Sequence, residues 1–339
     1  MTESKRAPDQ PWFRRILSVP APPAGVADPA PDPERARERL DALMALDADI
    51  PEMTRTRFFE PSAPAKATIV IWHGFTNAPS QFAAVAEALA GLGYRVLVPR
   101  MPYHGLADVL NRELAKLTSA DLVAHSEAVI DVAAGFGDEV WVFGLSAGAT
   151  VAGWVAAKRP EVARLVLAAP LVAPTGLPMP VVRLLVKFPR IVPGVYFWWD
   201  PRKKADLGHS PYAYPGFPLP GIVPFLQLSE ALFDHSVGVG HELDRSVLTH
   251  NPGDFAIRKD AAKGFAEDLF FARSRVAGVA CIDPELKWMH DFVDPWSPDA
   301  GTTEQVVAIL LASFGEGDPA AGGVLVPPLV PEQPDSAVS

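Results

Sequence analysis

The sequence predicts an α/β fold: a mostly parallel central sheet with helices on both faces and an inserted cap. Three observations point there. Short continuous apolar runs, such as Ala67-Thr-Ile-Val-Ile-Trp72, read as strands buried on both faces. Stretches of helical period separate these runs, the rhythm that parallel strands require. After Pro170 the rhythm stops; prolines and aromatics crowd residues 171–240 before it resumes.

In chain order, residues 1–31 are rich in Pro and Ala and read as a flexible N-terminal arm. Residues 32–53 hold a helix packed on the core. Asp32-Pro-Glu-Arg supplies a cap and a first-turn proline, and Leu40, Leu43, Met44 and Leu46 give the helix an apolar side. The core spans 54–170 and 241–316. Its first half reads as strand 54–60, strand 67–72, helix 81–92 stopped at Gly93, strand 94–99 and helix 118–134. The strand Val140-Trp-Val-Phe143, a helix from about Ala147 and the strand 164–170 follow.

The cap, 171–240, carries one short helix over Val181–Phe188, with Arg183 and Lys187 four apart on one side, and the run Tyr196-Phe-Trp-Trp199. Trp198 and Trp199, with Tyr103 and Tyr212, are the candidate walls of an apolar pocket. Arg202-Lys-Lys204 beside the tryptophans offers a weaker alternative, contact with a membrane surface. A helix at 226–233 leads to strand 245–250, helix 259–272, strand 275–282 and a last helix, 302–314, stopped at Gly315. The Pro- and Gly-rich tail, 317–339, reads as disordered.

Composition narrows the function classes. The 339 residues are 49% hydrophobic and carry a net charge of −10, with no basic face for nucleic acid. A single cysteine, Cys281, allows neither an intrachain disulfide nor a thiolate metal cluster. The eight histidines are scattered, without the His-x-x-x-His spacing of a zinc site, so no metal or cofactor is expected. No run approaches the length that spans a bilayer, and the apolar stretch near Ile16 is too short for a signal peptide. A cytoplasmic protein acting on a small molecule is the expectation.

The chemistry gathers at Gly144-Leu-Ser146-Ala-Gly148, between a strand and a helix. A serine on so sharp a turn is held at strained angles with its hydroxyl presented, and the flanking positions must be very small. An ordinary Gly-rich turn is the competing reading. A serine needs a base, and the base an orienting acid. In the chain order Ser, acid, His, the loop after strand 245–250 offers Asp254 and the loop after strand 275–282 offers His290. Asp244, Asp260 and Asp283 compete for the acid, and Asp254 could simply cap the next helix. The oxyanion cradle would use the backbone N–H of Ala147 and of Phe75, in the loop His73-Gly74-Phe75-Thr76. His73 is expected to support that loop rather than act as the base.

These motifs, with Pro99-Arg-Met-Pro-Tyr-His-Gly105, Asn251-Pro-Gly-Asp254 and His290-Asp, resemble α/β-hydrolases of the monoacylglycerol lipase, carboxylesterase and serine aminopeptidase-like branch. The resemblance covers roughly residues 54–316, the cap matching in position only. It implies Ser146 as nucleophile, His290 as general base and acid, Asp254 as orienter, and Phe75 and Ala147 as oxyanion donors. Where that branch has Pro-Gly-His-Gly, this chain has Pro102-Tyr103-His104-Gly105, which implies a narrower pocket. The expected activity is hydrolysis of a carboxylic ester with an apolar acyl or alcohol part, through an acyl-enzyme. Peptidase, thioesterase and C–C hydrolase chemistry share the fold, and Glu230 and Asp234 are candidates to hold the free amine of an aminopeptidase substrate. A catalytically silent binder on the same fold is the alternative from another class.

Overall fold

Apolar runs too short to be helices pair side by side, and the linking segments fold back as helices to cover them. The computed structural model describes residues 16–203, 210–234, 241–297, 300–317 and 324–325. Helix α1 (Pro33–Ala45) begins where Asp32 accepts the Arg35 N–H at 2.8 Å. Strand β1 (Arg57–Phe59) lies at one edge, antiparallel to β3 (Arg95–Val98). Strand β2 (Thr68–Trp72) connects to β3 through helix α2 (Ala83–Gly91). The chain then crosses back through α3 (Ser119–Gly135) to β4 (Val140–Leu145) on the other side of β2. Thr118 and Asp121 form a reciprocal capping box at the start of α3.

From β4, helix α4 (Ala147–Lys158) leads to β5 (Val162–Ala168). After the cap, β8 (Leu243–His250), α7 (Lys259–Leu269) and β9 (Ser274–Ile282) extend the sheet in the same direction. The spatial order is β1-β3-β2-β4-β5-β8-β9-β10, the last strand being Val324–Leu325. Because the chain moves one way from β2 to β3 and the other way from β4 on, the C-terminal ends of β2 and β4 flank a topological switch point. Their register, ending Trp72 beside Gly144, brings the loop after β2 against the turn after β4. Helix α8 (Thr303–Phe314), capped by Thr302 and Gln305 and stopped by Gly315 at φ 90°, packs on α2.

Three expectations need correction and one needs detail. The arm is not free from residue 16 on: Ala30 N–H donates to Asp131 O at 3.0 Å, Val19 N–H to Asp234 at 2.8 Å, and Val19 is buried. Alternating Pro and Ala removes donors and periodicity, yet a chain that cannot form helix or sheet can still lie as a strap over helices. The cap holds a two-stranded hairpin, β6 (Tyr196–Trp198) with β7 (Gly216–Pro218), as well as helices α5 (Met179–Lys187) and α6 (Val223–Asp234). The side that carries Arg183 and Lys187 is not uniform: Lys187 is half-buried, whereas Arg183 is fully buried and pairs with Glu230 and Asp234, while its Nε donates to Leu17 O at 3.0 Å. Finally, Val324–Leu325 of the tail forms β10, antiparallel to β9. The readings for 1–15, Lys204 and the rest of 318–339 fall outside the described residues.

No helix among the described residues is long and apolar enough to cross a membrane. Arg202, one part of the suggested basic patch, is exposed and paired with Asp200.

Candidate active site

Strand β4 runs fully buried into Ser146, which sits at φ 57° and ψ −116°, a conformation L-residues rarely adopt. The turn is held from several sides. Ser146 N–H donates to Ala168 O at 2.8 Å, and its carbonyl accepts from Ala149, Thr150 and Leu171 at 3.0, 3.2 and 3.1 Å. A Cβ on Gly144 would collide with the Gly148 backbone, and one on Gly148 with the carbonyls of Trp72 and His73. The second contact is with β2, so Gly148 is required by the neighbouring strand as well as by the turn.

Asp254 and His290 lie in the loops beyond the C-terminal ends of β8 and β9, at the same end of the sheet as Ser146. His290 Nδ1 is 2.7 Å from Asp254 Oδ2. An ionised carboxylate only accepts, so Nδ1 carries the proton and Nε2 keeps the lone pair a base needs. The other oxygen of Asp254 accepts the Ala256 N–H at 2.8 Å and the Ile257 N–H at 3.4 Å. Burial alone would raise this carboxyl. The His290 hydrogen bond and charge, with those N–H groups, outweigh burial and hold it below the usual carboxylate range. Asn251 ties the two loops, donating to Met289 O at 2.6 Å and accepting the Gly253 N–H at 3.0 Å. The competing acids are engaged elsewhere: Asp244 with Arg275, Asp260 with Arg258, and Asp283 with the Glu285 N–H.

The loop after β2 is built around one peptide. Gly74 O accepts from His73 Nδ1 at 3.0 Å and from Asn77 N–H at 3.1 Å. His73 Nε2 accepts the Met101 N–H at 3.1 Å, which sets the tautomer with the proton on Nδ1. Burial and the nearby His104 hold His73 well below the usual imidazole range. The next peptide N–H, on Phe75, and the Ala147 N–H at the start of α4 have no hydrogen-bond partner among the described residues. The Phe75 ring packs edge-on to Phe217 and Phe225 of the cap and to His104.

The cap closes on this loop. Tyr214 N–H donates to Thr76 O at 2.7 Å, and Trp199 Nε1 donates to Thr76 Oγ1 at 2.8 Å. Trp199 is otherwise half exposed, and Trp198 half-buried. Tyr103 has φ 65° and its carbonyl accepts the Tyr214 hydroxyl at 3.2 Å. Tyr212 is buried with its hydroxyl donating 2.8 Å to Asp294. Glu230 and Asp234, considered for amine recognition, are the partners of Arg183.

Sequence reasoning gave no role to Asn77, Gln81 and Asp294, and Asp291 entered only as part of the His290-Asp motif. Gln81 Nε2 lies 2.9 Å from each oxygen of Asp291, and Asn77 Nδ2 donates to Asp291 and Asp294 at 3.1 and 3.3 Å. The only signal available was two acids following His290 within four residues. Among the described residues no group of His, Cys, Asp or Glu could hold a metal ion.

Residues 63–216 match the family model described as serine aminopeptidase, S33. A thermostable monoacylglycerol lipase of Bacillus sp. (strain H-257) is 30% identical over 115 residues, which is 32% of this chain and 42% of that protein. The chain thus aligns with less than half the length of this curated relative. A structure from work on the metagenome-derived lipolytic enzymes LipS and LipT covers 78% of this chain and 99% of its own, with TM-score 0.59 and 19% identity. A monoacylglycerol lipase of Paleococcus ferrophilus covers 67% and 87%, with TM-score 0.51 and 17% identity. At these identities the structural neighbours speak to the fold. On these neighbours the chain has the α/β-hydrolase fold, and over the matched segments it resembles the monoacylglycerol lipase and serine aminopeptidase-like branch.

Proposed function

We propose that this protein is a serine hydrolase that cleaves a carboxylic ester with an apolar acyl or alcohol part, without a cofactor. The observation that carries the reading is the 2.7 Å hydrogen bond from His290 Nδ1 to buried Asp254, at the sheet end where Ser146 occupies its strained turn. Asp254 orients His290, whose Nε2 takes the Ser146 proton as Oγ attacks the ester carbonyl. The tetrahedral oxyanion is met by the N–H groups of Phe75 and Ala147, the second aided by the start of helix α4. His290 then protonates the departing alkoxide, leaving an acyl-serine. A water activated by the same histidine releases the acid.

An ester is favoured over a peptide by the cap. The acids that could hold a free amine, Glu230 and Asp234, already neutralise Arg183. What the cap brings to the oxyanion loop is aromatic: Phe217, Phe225 and Trp199. The lipase match over 32% of the chain supports the same class.

Ser146→Ala tests the reading. The variant should keep the fold by circular dichroism and lose at least about a thousandfold in turnover of short p-nitrophenyl esters. A fluorophosphonate should label the wild type and not the variant. Unchanged ester turnover in Ser146→Ala overturns the proposal, and folded wild type that neither labels nor turns over favours a silent binder.

A further inference from the structure

An oxyanion donor has to be aimed, and on the reading above the Phe75 N–H is one of the two. A trans peptide is planar, so the direction of the Gly74 carbonyl dictates the opposite direction for the Phe75 N–H. That carbonyl is held by His73 and by the Asn77 N–H, and the Gly74 N–H donates to Gln81 Oε1 at 2.8 Å. Both polar ends of Gly74 therefore depend on two amide residues, Asn77 and Gln81.

Those two residues are fixed from the opposite side of the site. Gln81 Nε2 donates to both oxygens of Asp291, and Asn77 Nδ2 is shared between Asp291 and Asp294. Asp291 also accepts the Asp294 N–H at 3.2 Å. Asp294 Oδ1 takes the Tyr212 hydroxyl from the cap and the Trp296 N–H at 2.9 Å. Asp294 is buried and Asp291 half-buried, and two carboxylates side by side repel each other. Desolvation and then the Asp294 charge push Asp291 up to about 6, partly relieved by Gln81 and His290. Such a pair is expensive as a purely structural tie, because neutral side chains could join the same loops at lower cost.

We propose that Asp291 and Asp294 are positioning residues, aiming the Phe75 N–H through Gln81 and Asn77 and locking the cap to the same network through Tyr212. The acid pair thereby couples three parts of the site: the loop that bears His290, the oxyanion loop and the cap. The proposal rests on the serine-hydrolase reading for its consequence in catalysis, but the loop geometry stands apart from it.

The test uses the full chain with Asp291→Asn, Gln81→Glu and the double reversal that carries both changes. Asp291→Asn leaves one acceptor oxygen where Gln81 Nε2 and Asn77 Nδ2 use two and turns an NH2 group toward one of these donors, and Gln81→Glu sets carboxylate against carboxylate; the double reversal exchanges the two groups and restores one donor–acceptor pair. Each variant is assayed for kcat and KM on a p-nitrophenyl ester, and for amide hydrogen exchange over 73–82. Each single substitution should lower kcat about ten- to a hundredfold with KM within about twofold, and speed exchange of the segment. The double reversal should recover most of both. Should Asp291→Asn fail to fold, Asn77→Ala is expected to give the same kcat loss and faster exchange. Unchanged exchange in the single variants overturns the proposal, as does a kcat loss that the double reversal leaves in place. If the wild type shows no Ser146-dependent turnover while exchange follows this pattern, the serine-hydrolase reading fails and the positioning of the loop stands.

Discussion

Asp254 does two things with one carboxylate. Oδ2 orients His290, and Oδ1 closes a turn by accepting the N–H groups of Ala256 and Ile257. A loop aspartate that merely caps a turn would show only the second. Asp254→Asn keeps the shape and can keep one role at a time. With its amide NH2 toward His290 it forces the tautomer in which Nε2 bears the proton, which disables the base. Ester turnover near neutral pH should fall about a thousand- to ten-thousandfold, measured as kcat on p-nitrophenyl acetate, with the fold intact. At the same scale, Asp291 and Asp294 were beyond the reach of sequence reading. Their partners Asn77 and Gln81 lie more than 200 positions away, and no local pattern encodes a contact across that separation.

Helix α5 shows how an element can be legible while the surroundings of its charges are not. Its apolar period is plain, and the helix forms, but Arg183 and Lys187, four residues apart on one side, do not share the same surroundings. Arg183 faces α6 and the strap at Leu17 and Val19, where Glu230 and Asp234 surround it. A buried guanidinium is tolerated only when its charge is met, and here two carboxylates and a carbonyl meet it. Removing the cation leaves both acids buried and uncompensated. Arg183→Ala should therefore destabilise the protein by about 3–5 kcal/mol in urea unfolding, far more than Lys187→Ala. The strap itself was read as flexible because proline-rich chain has neither period nor donors to advertise. It is anchored by its remaining backbone groups.

At the scale of the molecule, acid sensitivity is built into the ground beneath the loop after β2. His73 and His104 are fully buried, their rings 5.1 Å apart, and His125 belongs to the same group by charge. Burial pushes His104 and His125 down to about 4 and His73 well below its usual value. A depressed imidazole stays neutral in the fold while the unfolded chain takes up protons below pH 6.5, so stability is lost as pH falls from about 6.5 toward 4. Asp291, raised to about 6, acts in the opposite sense over the same window, because its protonation favours the fold. The lowered histidines, His241 and His250 among them, outnumber the one raised acid, so stability falls between pH 7 and pH 5. Urea titrations at the two values measure it. Equal stability at both would show that the histidines are not held neutral by the fold.

The sequence by itself determined the strand–turn–helix at Ser146, the buried parallel strands and the chain order of serine, acid and histidine. Each follows from residues near one another: apolar runs demand cover, small residues permit the tight turn, and periods of two and 3.6 set which side is buried. Only the tertiary structure decided which carboxylate meets His290, because Asp244, Asp254, Asp260 and Asp283 are alike until the register of β8 with β9 places their loops. It also decided that Glu230 and Asp234 serve Arg183, and that the acids after His290 hold Asn77 and Gln81 across the switch between β2 and β4. A charge is read by its surroundings, and surroundings are assembled by strand order, which local composition does not carry.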